Sequence, residues 1–399
     1  MFKLRGTLDP TILVVAMMLL VALSPFFIPQ ALRWPQEPVN RNASAKTRQV
    51  LRLLYELPNR PDHKVISGQV LRTLDHNPNY PEESGDPRRL PPYPDVYDRI
   101  RMIHDQTGYW VGIAGAEYSD WSKAYSTQNQ RILSAELNPH LIAHSRRGGI
   151  VMLHWHPLSP KTGMSGHDIR HDANELLNPG PIHDNWMRRL NDAAAGLREL
   201  RDNDVVVLWR PMHGINLGWW SSTLGQEGYR RVWAHMVDYF SNTWGLDNIL
   251  YFQSWYAVEG SGRKYAGGDI VDIVGMDDIP TNTPPGLWDS LRAFGKPIAV
   301  SEGWLPEGTA PGSFDTRTII EGSKRLAPRI TFFVQFDHPR YPKNHLAANL
   351  FARELLSDPW IINAPIFDSL QTKSAGPLRN NRASGSVVDW CVALLRRSP

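Results

Sequence analysis

Carboxylates, histidines and tryptophans gather where short apolar runs of this chain end. Glu302 follows Pro297–Ser301, Asp277 and Asp278 follow Ile270–Met276, and Glu117 follows Trp110–Ala116. Arg210, His213 and Asn216 come just after Val205–Trp209, and His154 and His156 mark the end of Ile150–Trp155. Trp219 and Trp220 lie in the loop with His213, Trp255 closes Ile249–Ser254, Trp304 stands two residues past Glu302, and Phe336 follows Thr331–Gln335. Carboxyl groups can attack and protonate a glycosidic bond. Polar groups can hold hydroxyls, and flat apolar rings can stack on a sugar face. The set therefore reads as a carbohydrate site. Asp277 and Asp278 are adjacent, so one of them faces the cleft. His154 and His156 share one face, and either can be the inward residue. Glu117 is expected to support the rim through hydrogen bonds.

What must position these residues is a repeated strand and helix unit. Eight short apolar runs recur: Val65–Val70, Trp110–Ala116, Ile150–Trp155, Val205–Trp209, Ile249–Ser254, Ile270–Met276, Pro297–Ser301 and Thr331–Gln335. Nearly continuous apolar character fits parallel strands buried on both faces. Helix candidates between them include Asp95–Gln106, Gln128–Ser145, Asn185–Arg201, Gly228–Asn242, Trp288–Phe294 and His345–Leu356. Eight such units predict an α/β chain folded as a (β/α)8 TIM barrel, with its active site at the C-terminal strand ends. The Gly-rich stretch 256–269 leaves room for little helix. An open doubly wound sheet is the alternative, but the glycine fingerprint it would carry after the first strand is absent.

Composition agrees. A chain of 399 residues buries a core without disulfides, which its single cysteine excludes internally. A net charge of +3 gives no basic bias, so no nucleic-acid partner is expected. Fifteen tryptophans exceed what packing alone needs, and a ring-stacking cleft would use some of them.

The segment VVVLWRPMHGIN, with GWW shortly after it, resembles the "RP-x-H-E-x-N-G-x-W" segment of glycoside hydrolase family 26, the β-mannanase family. HKVISGQV, VGIAGAEYSDW, IVMLHWHP and LLNPGPIHDNW resemble the family's first three strands and the loop that follows the third. YAGGDIVDIVGMD and KPIAVSEGW resemble its sixth strand and its nucleophile segment. The resemblance runs in order over residues 50 to 365. It implies that Glu302 is the catalytic nucleophile and that His213 and Arg210 orient the acid and the sugar. His156 would contact sugar, Asp277 would follow strand six, and Trp219 or Trp220 would stack. The substrate implied is β-mannan or a related polysaccharide, cut by a retaining double displacement.

The chain departs from the family pattern at one chemical position. Gly214 stands where the general acid/base glutamate is expected, and a glycine has no proton to give. Retaining enzymes hold two carboxyl groups ~5–5.5 Å apart, one attacking while the other protonates the leaving oxygen. Asp277, Asp278 and Asp120 are candidate substitutes on the rim. Ile279 and Phe336 replace an expected tyrosine and tryptophan. His167 and His171 have the spacing of two ligands on a helical face, but no third ligand of sure geometry follows. No metal site and no cofactor are expected, and the protein is expected to act as a monomer.

Residues 1–29, with Lys3 and Arg5 before the apolar run Thr11–Ile28, are expected to be a signal peptide or an N-terminal membrane anchor. Either would place the protein outside the cytoplasm, secreted or tethered. Residues 30–45 read as a linker, 46–365 as the barrel, and 366–399 as a tail that packs back on it. Two functions are weighed: a hydrolase whose activity is reduced by the lost acid/base, and a pseudo-hydrolase that binds exopolysaccharide at the membrane.

Overall fold

The structure, a computed structural model, describes residues 37–71, 96–119, 132–163, 170–213, 218–222, 224–257, 264–283, 286–306, 308–327, 329–337 and 344–371. Its strands are β1 Val65–Ile66, β2 Gly68–Val70, β3 Ile113–Glu117, β4 Ile150–Trp155, β5 Val207–Pro211, β6 Ile249–Tyr256, β7 Ile273–Asp277, β8 Ile298–Gly303, β9 Ile330–Gln335 and β10 Ile361–Ile362. Every ladder between them is parallel. β8 pairs with β9, and β9 pairs with β1 and β2, so the sheet closes on itself. β1 and β2 form one barrel strand interrupted at Ser67, whose hydroxyl donates to Asn363 and accepts the Gly112 N–H. β10 extends β1 outside the ring. Eight barrel positions result, as the runs predicted.

Residues of alternate parity fill two layers. Ile150, Met152, Leu208, Phe252, Ala299 and Phe332 belong to the barrel interior, while Trp155, Trp209, Tyr251 and Val300 pack under the helices. Burial of both layers explains why the runs are apolar throughout.

The helices are α1 Ala45–Glu56, α2 Asp98–Thr107, α3 Ser134–Arg146, α4 Ala173–Leu177, α5 Pro181–Asp202, α6 Trp219–Ser222, α7 Gly225–Asp238, α8 Leu287–Arg292, α9 Arg317–Leu326, α10 Ala352–Ser357 and α11 Ile366–Gln371. α9 was not anticipated, and it completes the alternation between β8 and β9. The helix expected over His345–Leu356 begins only at Ala352, because Phe351 takes a left-handed backbone with φ 63°. Among the described residues no helix separates β6 from β7, in keeping with the Gly-rich stretch there.

The stretch expected to be a linker is partly built into the fold. Val39 N–H donates to Asp272, Asn40 donates to the Leu246 carbonyl, and Ser44 caps α1 through the Thr47 N–H. α1 buries Val50, Leu51 and Leu54 in the barrel-interior cluster and so plugs one end of the ring. At the other terminus, Ile366 of α11 joins the same cluster. Residues 1–36, with the expected signal or anchor, and 372–399 lie outside the described residues. Among the described residues no helix is long and apolar enough to cross a membrane.

Candidate active site

Strand register aligns a row of polar groups at the C-terminal ends. Glu117 on β3 lies opposite His154 on β4, and His154 opposite Arg210 on β5. Tyr256 on β6 lies opposite Asp277 on β7. Each continues the inward parity of its strand: His154 follows Ile150 and Met152, Arg210 follows Leu208, and Tyr256 follows Phe252 and Ser254. Regular alternation would turn Glu302 the other way, since Ile298 and Val300 pack outward and Ala299 inward. However, the β8–β9 ladder slips between Val300 and Gly303. Such an irregularity bends a strand and re-aims its side chains. Both Ser301 and Glu302 reach the interior cluster as a result.

Arg210 is the hub of that cluster and is fully buried. Its Nε donates to Ser254 Oγ at 2.6 Å, its Nη1 to Glu302 Oε1 at 2.8 Å and its Nη2 to Asp277 Oδ1 at 2.5 Å. Ser301 Oγ also donates to Asp277 Oδ1, at 2.6 Å. Glu302 Oε1 lies 2.9 Å from His154 Nδ1 and 3.5 Å from His213 Nε2. All three contacts fall on Oε1, and the side chain keeps 7% exposure, which leaves Oε2 to the cleft. The chain delivers His213 by a turn at Met212, whose φ of 46° is unusual for a residue with a side chain. Met212 N–H is fastened to the Trp155 carbonyl, and Trp220 Nε1 donates to the His213 carbonyl at 3.3 Å. His156 sits with its ring centroid 3.7 Å from that of His213 and its Nδ1 3.0 Å from Glu117 Oε2.

Charge follows from these contacts. Burial works against the Glu302 carboxylate. The Arg210 charge and hydrogen bonds from His154 and His213 outweigh it and hold the carboxyl well below its usual range. Burial, reinforced by Arg210, pushes His154 down and His213 well down, so both imidazoles are neutral. Burial lifts Asp277 to about 6 despite Arg210 beside it. Burial, then Glu302 and Asp277, raise the Tyr256 phenol. An ionised carboxylate with one oxygen open, braced by a guanidinium and two neutral imidazoles, is equipped to act as a nucleophile.

A pH dependence follows. As pH falls through about 6, Asp277 gains a proton and ceases to balance Arg210. The guanidinium then bears more strongly on Glu302 and weakens it as a nucleophile. The kcat/KM for an activated aryl glycoside should therefore drop as pH falls from 7 to 5, and Asp277→Asn should remove that step and leave a uniformly low rate. A flat wild-type profile over that interval contradicts the assignment.

The model of glycosyl hydrolase family 26 matches residues 39–365. The chain belongs to glycosyl hydrolase family 26. A mannan endo-1,4-beta-mannosidase of Bacillus subtilis is 28% identical over 343 residues, 82% of this chain and 88% of that one. Mannan endo-1,4-beta-mannosidase A and B of Caldalkalibacillus mannanilyticus is 28% identical over 379 residues, 88% of this chain and 67% of the relative. A solved Bacillus subtilis mannanase superposes with a TM-score of 0.66 at 25% identity, over 82% of this chain and 95% of that chain. Membership in family 26 makes the chain a glycoside hydrolase.

In this family 26 barrel the expected site residues separate into three groups. Glu302, Arg210, His213, His156, Asp277 and Glu117 converge. Gly214 and Asn216 lie outside the described residues, as does Asp120. The aromatic expectations need correction. Trp255 carries the outward parity and packs on Phe294 and Tyr265, with 1% exposure. Trp219 is enclosed by Trp186 and His171 and donates to the Pro157 carbonyl. Neither offers a face to a ligand. Trp220 lies beside His156 but is itself buried, so it supports the histidines from behind. Trp304 and Phe336 are half-buried and form a ring pair with centroids 4.4 Å apart. Asp278 accepts from the Ile279 N–H and from Asn282 Nδ2, which makes it a loop brace.

Of the histidine cluster weighed for zinc, His171 is buried against Ser159 Oγ, and His167 lies outside the described residues. Ser254, Tyr256 and Ser301 carry no site role in the sequence reading, whereas His154 stands there beside His156 as a candidate inward residue, and the structure brings both against His213. Counting inward parity from Ile150 or Phe252 identifies His154, Ser254 and Tyr256.

Proposed function

We propose that this family 26 chain cleaves β-mannan or a related β-linked polysaccharide by retaining double displacement, with Glu302 as nucleophile. Oε2 attacks the anomeric carbon, the leaving oxygen departs, and water then releases the glycosyl-enzyme. Arg210 and His213 hold the carboxylate ionised and aimed. The observation that carries the reading is the convergence of Arg210, His154 and His213 on one oxygen of Glu302. The mannan substrate is taken from the activity that the relatives' names print.

Gly214 stands at the family's acid/base position, so the leaving oxygen takes its proton from water or from a carboxylate elsewhere on the rim, such as Asp120. Departure is then easy only for groups that are stable as anions. An activated aryl β-mannoside should give a burst of about one equivalent of phenolate, followed by slow turnover, because the second step also lacks its base. Mannan should give little product. Equal turnover of polymer and aryl glycoside would overturn the impaired-acid reading.

Gly214 also supports a second reading, a polysaccharide-binding pseudo-hydrolase. Retained binding of mannan oligosaccharide with no burst would select it. Either activity would be exercised outside the cytoplasm, given the apolar run Thr11–Ile28 behind Lys3 and Arg5.

A further inference from the structure

Among the described residues two large apolar side chains stand exposed, Leu350 at 46% and Phe351 at 40%. They are neighbours, and they lie on the same end of the barrel as Glu302. A βα loop joins the C-terminal end of a strand to the N-terminal end of the next helix, so both of its ends sit on the active-site face. The loop from β8 to α9 starts with Trp304, two residues past Glu302, and ends at Arg317. The loop from β9 to α10 starts with Phe336 and ends at Phe351. The first rings of the two loops touch, since Trp304 and Phe336 pair at 4.4 Å. Their far ends are laced as well. Leu350 N–H donates to the Phe314 carbonyl at 2.9 Å, Thr316 N–H to the Leu350 carbonyl at 3.1 Å, and Phe314 N–H to Asn349 Oδ1 at 3.3 Å. Two loops braced against each other thus join the ring pair to Phe351.

The fold holds Phe351 in a set pose. Its φ of 63° is a left-handed backbone, which a bulky residue rarely adopts. Residues kept in such regions concentrate at active sites and ligand clamps. Arg317 lies over the phenyl ring, 3.9 Å from its centroid. The guanidinium is itself fixed by Asp315, which accepts from Nε at 3.0 Å and from Nη2 at 2.7 Å. A braced cation therefore backs one face of the ring, and the exposure falls on the other face and the edge. A ring turned to solvent in this way adds little to the core, but it is ready to take the flat face of a sugar.

We propose that Phe351 is the platform of a distal sugar subsite, with Arg317 as its support. The inference rests on the reading that the chain takes a β-linked polysaccharide. The helix layer stands outside the strand ring, so Phe351 lies outward of Glu302. Only a ligand long enough to leave the cleft along this rim reaches it. A polymer or a long oligosaccharide does so, and a short one does not. The subsite therefore confers preference for chain length.

The test is calorimetric titration of the full-length chain with β-1,4-mannotriose and β-1,4-mannohexaose. Phe351→Gly removes the ring and suits the left-handed backbone, so it should fold. It should weaken hexaose binding about tenfold and leave triose binding unchanged. Arg317→Ala, an exposed change, should weaken the hexaose in the same direction, and it decides the matter where the glycine variant does not fold. Unchanged hexaose affinity overturns the subsite. So does an equal loss for both sugars, which would mean that the ring supports the cleft instead. A dimer in light scattering that Phe351→Gly dissolves also overturns it, because the ring would then face a second copy of the chain. Each of these failures leaves the hydrolytic assignment untouched. Wild-type protein that binds neither sugar overturns the mannan reading and the subsite together.

Discussion

Gly214→Glu should raise the hydrolysis of mannan by on the order of 10²–10⁴, the usual worth of a placed acid/base group. The expectation rests on what surrounds the position. Glu302 is held ionised by Arg210, His154 and His213, and one of its oxygens faces the cleft. His213, the residue just before 214, is fixed by the turn at Met212 and by Trp220. A carboxyl group added one residue further on therefore joins a site whose nucleophilic half is in place. The gain should be large on polymer, whose alkoxide leaving group needs a proton. It should be small for the first step on an activated aryl mannoside, whose leaving group does not. Reducing-sugar release from mannan and the aryl burst measure the two cases. A folded variant whose polymer turnover stays flat would show that the rest of the cleft no longer holds mannan productively.

Glu302→Gln should lower the rate on the aryl glycoside by on the order of 10³ or more, since no other group can take over a nucleophile's role. The amide keeps the size and an acceptor oxygen for Arg210, so the buried guanidinium retains a partner. Leaving it with Asp277 alone would risk about 3–5 kcal/mol of stability. Circular dichroism and the unfolding midpoint separate a chemical loss from a folding loss. Activity retained in a folded Glu302→Gln protein would remove the nucleophile from this position.

The barrel was legible because its signal is long-range and redundant. Eight apolar runs all needed burial on two faces, and the run Ile150–Trp155 has the bounds of β4 itself. Helix ends were less legible, since a single left-handed residue, Phe351, shortens one by a full turn and more. Half of the site was readable from strand parity. Counting from Ile150 places His154 inward, and counting from Phe252 places Tyr256 inward and Trp255 outward. Glu302 is the reverse case. Strict alternation sends it outward, and only the slip of β8 against β9 brings it in, which no local pattern in KPIAVSEGW discloses. The tryptophans misled for a simpler reason. Their chemistry suits a sugar and a core equally, and the fold used Trp219 and Trp255 for the core.

The most direct measurement is the intact mass and peptide map of the protein after exposure to an activated 2-deoxy-2-fluoro-β-mannoside. Fluorine slows the second displacement and preserves any covalent intermediate. A single fluoromannosyl group on the peptide that carries Glu302, absent from Glu302→Gln, is the expected result. An unmodified protein that still binds the mannoside, or a sugar attached to any other side chain, contradicts it.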